Sequence, residues 1–229
     1  MQRRQTHLFF LLALCVALMA FSSAARPSDL QLADRLVGDR SQYSVQIADS
    51  FESIGSRFGV APSVIAGDNS STSDKSLQPG SVIWVDNRHI VPTEIKDGIL
   101  INIPQRMLFL FKDGNIAASY PVALGKPSRR TPTGDFTVNQ MQRDPVWIVP
   151  ISIQREMARQ GKEVETRVPA GPHNPLGRYW IGLDRNEVGI HSTIATRSIY
   201  HFSSHGCIRL HHIRRMLPSS FLLLQSECP

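Results

Sequence analysis

The chain is 229 residues long, 41% hydrophobic and 19% charged, with a formal net charge of +6. That length accommodates one or two domains plus a processing segment, and the apolar content is enough for packed cores, which excludes a disordered or fibrous chain. The charge, +4 once Arg3 and Arg4 of the N-terminal segment are set aside, suits anionic cell-envelope polymers as well as nucleic acid and selects neither.

Arg3 and Arg4 precede an unbroken apolar run from Leu8 to Phe21, and Ser23-Ala24-Ala25 places small residues ahead of Arg26. This pattern predicts a cleaved signal peptide over residues 1–25 and export across the cytoplasmic membrane, because the run is shorter than the roughly 20 residues that a membrane span needs. Cys15 lies inside the apolar run after the bulky Leu14, which argues against lipoprotein processing. Beyond the leader only Cys207 and Cys228 remain. An even count in an oxidising compartment suggests a disulfide between them. The neighbours of Cys207 suggest a free thiol instead, and both readings stay open.

A small unit is predicted over residues 40–92. Tyr43 and Val45 alternate with polar neighbours as in a half-buried strand, and Ser50 caps a helix carrying Phe51, Ile54 and Phe58. Gly59 ends that helix, and Pro62 with Val64, Ile65 and Ala66 starts a second, short one. A polar loop over 68–76 and a turn at Pro79-Gly80 lead to a closing strand, Val82-Ile83-Trp84-Val85. This βααβ stretch resembles a LysM domain through Tyr43-Ser44-Val45, Arg57-Phe58-Gly59-Val60, Asp68-Asn69 and Leu77-Gln78-Pro79-Gly80-Ser81-Val82-Ile83. The family's usual Gly-Asp-Thr or Gly-Asp-Ser before the first helix is here Ala48-Asp49-Ser50. The resemblance implies contact with peptidoglycan glycan strands.

From Ile95 the pattern turns strand-rich. Ile99 to Ile103 and Met107 to Phe111 read as strands, and Lys112-Asp113-Gly114-Asn115 as a hairpin turn into Ile116 to Val122. Thr131-Pro132-Thr133-Gly134 feeds a further strand. Residues 139–178, with Pro145, Pro150, Pro169, Pro172 and Pro175, read as irregular except for a helix over 152–160. Tyr179 to Leu183 and Glu187 to His191 read as strands, which puts His191 at a strand end where its side chain can face a cleft.

Ser203-Ser204-His205-Gly206-Cys207-Ile208-Arg209-Leu210 carries the chemistry. A cysteine attacks only as thiolate, and cationic or basic neighbours raise that fraction. His191 lies 16 residues upstream and can serve as the base. Other readings are a zinc site built from Cys207 with His191, His201, His205, His211 and His212, histidines that are merely satisfied polar groups, and a buried structural cysteine. A single thiol at this spacing matches no usual structural-zinc pattern. Nucleic-acid binding has no support beyond charge.

The Cys207 motif, with Gly189-Ile190-His191-Ser192-Thr193 ahead of it, resembles the L,D-transpeptidase (YkuD-type) catalytic domain. Gly98-Ile99-Leu100-Ile101-Asn102-Ile103, Tyr120-Pro121-Val122, Thr131-Pro132-Thr133-Gly134-Asp135-Phe136 and Asn174-Pro175-Leu176-Gly177 agree in order and spacing. The resemblance implies an α+β chain, a LysM-like module followed by a β-rich mixed α/β catalytic domain over 95–217. It implies Cys207 as nucleophile and His191 as general base, with the Ser192 backbone orienting the imidazole. Gly206 and Cys207 N–H groups would form the oxyanion hole, and His205 and Arg209 would shape the loop or meet a substrate carboxylate. The implied substrate is the peptidoglycan tetrapeptide stem, acylating Cys207 with loss of D-Ala. The acceptor is a second stem in a 3→3 cross-link, the lysine of an outer-membrane lipoprotein, or water. No metal or organic cofactor is implied.

Two departures stand out. Ser192 replaces the family's usual glycine, and residues 218–229 form an atypical tail without the family's closing strand. A catalytic domain incomplete at its C-terminus is therefore expected, with an open sheet edge beside the catalytic loop, reduced stability and a glycan-binding protein without activity as the rival reading.

Overall fold

The computed structural model of the chain describes residues 36–92 and 95–211. The leader expected over 1–25, Cys228, the end of the expected catalytic domain at 212–217 and the tail at 218–229 lie outside the described residues. No helix of the described residues is long and apolar enough to cross a membrane.

Two short strands, β1 (Leu36–Val37) and β2 (Arg40–Ser44), open the described chain. Helix α1 (Phe51–Phe58) begins where Ser50 Oγ accepts from Ser53 N at 3.1 Å and Ser53 Oγ accepts from Ser50 N at 2.9 Å. Each hydroxyl thus satisfies a backbone donor that the helix start leaves free. Gly59, at φ 72, closes the helix in the left-handed conformation that a residue with a Cβ resists. A proline in its first turn starts α2 (Pro62–Asp68), and β3 (Val82–Asp86) returns antiparallel to β2 with Tyr43 opposite Ile83. Phe51, Ile54, Ile65 and Val85, each 1% exposed or less, fill the space between the helices and this two-stranded sheet. The βααβ order expected from the sequence is the order found. A last strand, β4 (His89–Ile90), pairs back onto β1.

The turn before α1 is held by Asp49, whose carboxylate accepts from Tyr43 Oη at 2.6 Å, Gln46 N at 2.8 Å and Arg57 Nη2 at 2.8 Å. Burial alone would raise this carboxyl, but the hydrogen bonds outweigh it and hold it below the ordinary carboxylate range. The preceding Ala48 adopts φ 67 to bring Asp49 round. That is the position where the LysM pattern has glycine.

In the second part β5 (Gly98–Asn102), β6 (Met107–Lys112) and β7 (Asn115–Pro121) form an antiparallel meander. Alternate residues of β6 serve two cores. Leu108 packs with Ile181, Ile190 and Ile208, whereas Met107, Phe109 and Phe111 pack with Val91 and, at the edge of that cluster, Val37 and Tyr200. This explains a strand that is apolar at five successive positions. The chain continues through β8 (Leu124–Gly125), β9 (Val138–Arg143), β10 (Trp147–Ile148), α3 (Ile151–Arg159) and β11 (Arg167–Val168). Strands β12 (Tyr179–Leu183), β13 (Gly189–Ser192), β14 (Phe202–Ser204) and β15 (Ile208–Leu210) follow, with a 3-10 turn at Thr196–Ser198. The principal sheet has the order β15-β13-β12-β9, parallel between β13 and β15 and antiparallel elsewhere.

Two expectations need correction. The stretch 139–178 is not irregular apart from its helix: β9 pairs with β12 along its length, and β10 pairs with β11. Strand β9 escaped detection because it is Val-Asn-Gln-Met-Gln-Arg, with Gln140 and Gln142 lining an open cleft, so it carries no apolar alternation. The edge of β15 is also not open along its whole length. Arg209 N and O exchange hydrogen bonds with Ala123 O and N, both at 2.9 Å, which joins the outer edge of the principal sheet to the segment before β8.

An alanine in the left-handed region costs about 1–2 kcal/mol, part of which a glycine recovers in the folded state and part of which it loses to the freer unfolded chain. Ala48→Gly is therefore expected to stabilise the chain by up to about 1 kcal/mol, seen as a thermal midpoint raised by roughly 2–4 °C. An unchanged or lower midpoint would contradict the strain assigned to Ala48.

Candidate active site

Parallel strands cannot be joined by a tight turn, so the β13–β15 pair requires a crossover. Residues 193–207 provide it. The register sets Ile190 opposite Ile208, His191 opposite Arg209 and Ser192 opposite Leu210. Ile190, Ile208 and Leu210 point into the core, leaving His191 and Arg209 on the other face of the sheet. There they line a cleft of about 650 Å³ together with Cys207, which lies just before β15. Gln140, Gln142 and Trp180 of the sheet line the cleft, as do Trp147 and Val149.

His191 is 3% exposed. Its Nδ1 lies 2.6 Å from Ser192 O, and since a carbonyl can only accept, Nδ1–H donates and Nε2 is left without a proton. Trp180, its cross-strand partner, stacks on the imidazole with centroids 5.8 Å apart. The indole reaches that position because the preceding residue of β13 on the same face is Gly189, where a Cβ would stand 2.5 Å from the Trp180 ring. The Ser192 hydroxyl accepts from Arg178 N at 2.9 Å and Tyr179 N at 3.2 Å and donates to Leu176 O at 3.1 Å. Ser192, the departure from the family glycine, thereby ties β13 to the segment entering β12.

The turn before Cys207 is organised by Ser204, which is fully buried. Its hydroxyl donates to Cys207 O at 2.6 Å and accepts from Gly206 N at 3.1 Å. Gly206 has φ 115, a conformation that residues with a Cβ rarely adopt. The Gly206 N–H, expected to face an oxyanion, is thus engaged by Ser204 in this state. Strand β14 lies beside β8 in parallel, and Lys126 N donates to Ser204 O at 2.9 Å. The Cys207 thiol donates to Glu187 O at 3.3 Å and has no disulfide partner among the described residues.

His205 lines the same cleft and is held from α3. The Glu156 carboxylate of α3 bridges His205 Nε2 at 2.9 Å and Lys126 Nζ at 2.9 Å. Lys126 first and His205 second hold that carboxyl down at about 2. The bridge ties α3, which has no buried residue of its own, to the cysteine turn. The base of the same arm is clasped by Asn174, 0% exposed, whose amide donates to Pro145 O at 2.8 Å, Pro169 O at 3.1 Å and Val168 O at 3.3 Å while accepting from Leu176 N at 2.9 Å.

Burial pushes the His191 pKa down to about 4, and the nearby Arg209 charge adds to the shift, against the opposing pull of the Ser192 and Leu176 carbonyls. Burial likewise pushes the Cys207 thiol up, and Glu187 adds to this, while the Gly189 N–H and the Arg209 charge work the other way. At rest the pair is therefore a neutral thiol and a neutral imidazole. Arg209 is itself partly desolvated, and its buried Nε has no hydrogen-bond partner among the described residues. The site can deliver a sulfur nucleophile whose proton leaves only as attack proceeds, beside a guanidinium that favours negative charge. Of the residues singled out from the sequence, Cys207, His191 and Arg209 share the cleft, Ser192 and Gly206 support its walls, and His205 reaches it from the side. Ser204 stands in the motif read from the sequence but was given no role there, and Trp180, Glu156, Lys126 and Glu187 were not singled out. Among the described residues no three His, Cys, Asp or Glu side chains come together as a metal-ligand set. His201 instead meets Glu52 and His205 meets Glu156.

Comparison with known proteins bears on what such a site belongs to. Residues 96–219 match the family model of the YkuD L,D-transpeptidase catalytic domain, and residues 43–86 match that of the LysM domain. The chain is 33% identical over 180 residues to the probable L,D-transpeptidase ErfK/SrfK of Salmonella typhimurium, covering 77% of this chain and 58% of the relative. It is 31% identical over 209 residues to the probable L,D-transpeptidase YcfS of Escherichia coli, covering 88% of this chain and 65% of the relative. The chain thus spans about three fifths of the length of the curated relatives it matches. Among solved structures, it overlaps an L,D-transpeptidase of Enterococcus faecium with a TM-score of 0.39 and 21% identity, over 62% of this chain and 51% of that one. The catalytic-domain match takes in more than half of the chain and all of the Cys207 cleft's principal sheet, so the chain belongs to the YkuD L,D-transpeptidase catalytic-domain family and carries a LysM domain ahead of it.

Proposed function

We propose that the chain is an exported L,D-transpeptidase that remodels peptidoglycan through a thioester on Cys207. The observation that supports this most is the presence, in one cleft, of the Cys207 thiol and a buried imidazole whose Nδ1 is anchored on Ser192 O.

In this reading the donor tetrapeptide stem enters with the carbonyl of its third residue at Cys207. Sulfur attacks the carbonyl carbon as His191 Nε2 removes the thiol proton, and a tetrahedral oxyanion forms. Backbone N–H groups at the Cys207 turn take the oxyanion, with Gly206 exchanging its bond to Ser204 for the substrate oxygen. The tetrahedral species collapses, the C–N bond breaks, and His191 returns the proton to the departing D-Ala amine. An acceptor amine then attacks the thioester and gives its proton to His191, the C–S bond breaks, and the thiol is restored as the new amide forms. A stem acceptor yields a 3→3 cross-link, and a lipoprotein lysine yields an anchored protein. Water in place of the amine makes the same site a carboxypeptidase. The LysM domain supplies contact with glycan strands, and the leader over 1–25 delivers the chain to the periplasm or cell wall.

Incubation of the protein with a disaccharide-tetrapeptide is expected to give cross-linked dimers and free D-Ala by mass spectrometry. Tripeptide alone would assign hydrolysis, and binding without either product would leave a glycan-binding protein. Cys207→Ala should reduce turnover by roughly three orders of magnitude or more, and unchanged turnover would contradict the nucleophile assignment.

The pH dependence carries a sign. The imidazole must be neutral to accept the thiol proton, and its pKa lies at about 4 rather than the ordinary value, so lowering the pH from neutrality should not protonate it. The acid limb of kcat/KM is therefore expected well below pH 6. A limb at the ordinary histidine value of roughly 6.5 would contradict the burial assigned to His191.

A further inference from the structure

The crossover from His191 to Cys207 has an anchor outside its own domain. Its middle, from the 3-10 turn to His201, lies against α1 of the LysM domain. Ser56 Oγ donates to Ile199 O at 3.1 Å, with Ser56 4% and Ile199 0% exposed. One turn earlier on the same helix face, Glu52 Oε1 lies 2.8 Å from His201 Nε2, and His201 Nδ1 lies 2.9 Å from Ile199 O. Helix α1 therefore works on two sides. Phe51 and Ile54 fill the LysM core, while Glu52 and Ser56 grip the crossover.

From this grip a run of bonds leads to the Cys207 turn. Tyr200 N donates to Val122 O at 3.1 Å, and the Tyr200 ring lies under the Arg106 guanidinium at 4.2 Å. Leu124 N donates to His201 O at 2.9 Å, β14 then pairs with β8, and Ser204 closes the Cys207 turn. Tyr200 sits at φ 66, a conformation that an aromatic residue holds only where its surroundings impose it.

We propose that α1 of the LysM domain is a positioning element of the catalytic site, with Ser56 and Glu52 fixing the segment that sets the Cys207 turn. The LysM domain then has a second role besides glycan contact: it keeps the nucleophile aligned even on substrates that carry no sugar. Of the two anchors Ser56 is the stronger, since its bond to the Ile199 carbonyl is buried, whereas the Glu52–His201 pair is half-exposed and screened by solvent. The inference rests on Cys207 being the acylated residue.

The test uses the full chain and a soluble tetrapeptide donor without glycan, so that sugar affinity plays no part. Ser56→Ala with Glu52→Gln is expected to lower kcat by about tenfold, with KM within about twofold of the parent, because alignment of the attacking sulfur is lost and donor contacts are kept. Ile65→Ala, in the LysM core and away from the crossover, controls for stability. It is expected to lower the melting midpoint at least as far as the double variant does while leaving kcat at the parental value. Parental kcat in the Ser56/Glu52 variant, or an equal kcat loss in Ile65→Ala, would overturn the inference. A parent protein that does not turn over the peptide, or turns it over equally well as Cys207→Ala, would instead overturn the assignment of Cys207 on which it rests.

Discussion

The parallel pairing of β13 with β15 is the constraint on which the site depends. It places His191 across from Arg209 and leaves Cys207 at the mouth of β15, on the face of the sheet that looks into the cleft. A parallel pair demands a long connection, and a long connection is a liability where the side chains of a site must be held in place. Much of the surrounding structure answers that problem. Strand β8 pairs with β14, Ala123 closes the edge of β15, Ser204 shapes the turn, and α1 of the LysM domain holds the crossover at Ile199. The arm between β9 and β12 adds a tie through Glu156 to His205 and Lys126.

Electrostatics in the cleft follow from burial more than from any single charge. Desolvation disfavours both ions of a thiolate–imidazolium pair, and Arg209 pushes the imidazole the same way while favouring the thiolate. The outcome is a resting state in which Cys207 keeps its proton. In the proposed function, proton transfer and attack would proceed together on a correctly seated carbonyl, which would couple reactivity to substrate fit. Trp180 and Gly189 belong to the same arrangement, because the indole that stacks on His191 also shields it from water.

Local features of the fold were legible in the sequence. Ser50, Gly59 and the Asp113-Gly114 turn act over a few residues, and the apolar runs of β6 and β12 reveal themselves as strands. The cysteine motif was legible because its histidine, glycine and arginine cluster beside it. Strand β9 was hidden because its exposed polar residues face a cleft, so pairing with β12 defines it rather than alternation. Other features depend on separations that periodicity does not register. Glu156 and His205 are 49 positions apart, Asn174 and Pro145 are 29, and Ser56 and Ile199 are 143. Each requires the folded sheet before its partner can be named.

The most direct test of the account is the chemical state of Cys207 during turnover. The protein would be mixed with tetrapeptide donor in the absence of an acceptor amine, quenched in acid, and examined by intact mass and peptide mapping. The account predicts an adduct with the mass of the stem less D-Ala, confined to the peptide containing Cys207 and released by an added amine nucleophile. Turnover without any adduct on that peptide, or an adduct on another residue, would contradict it.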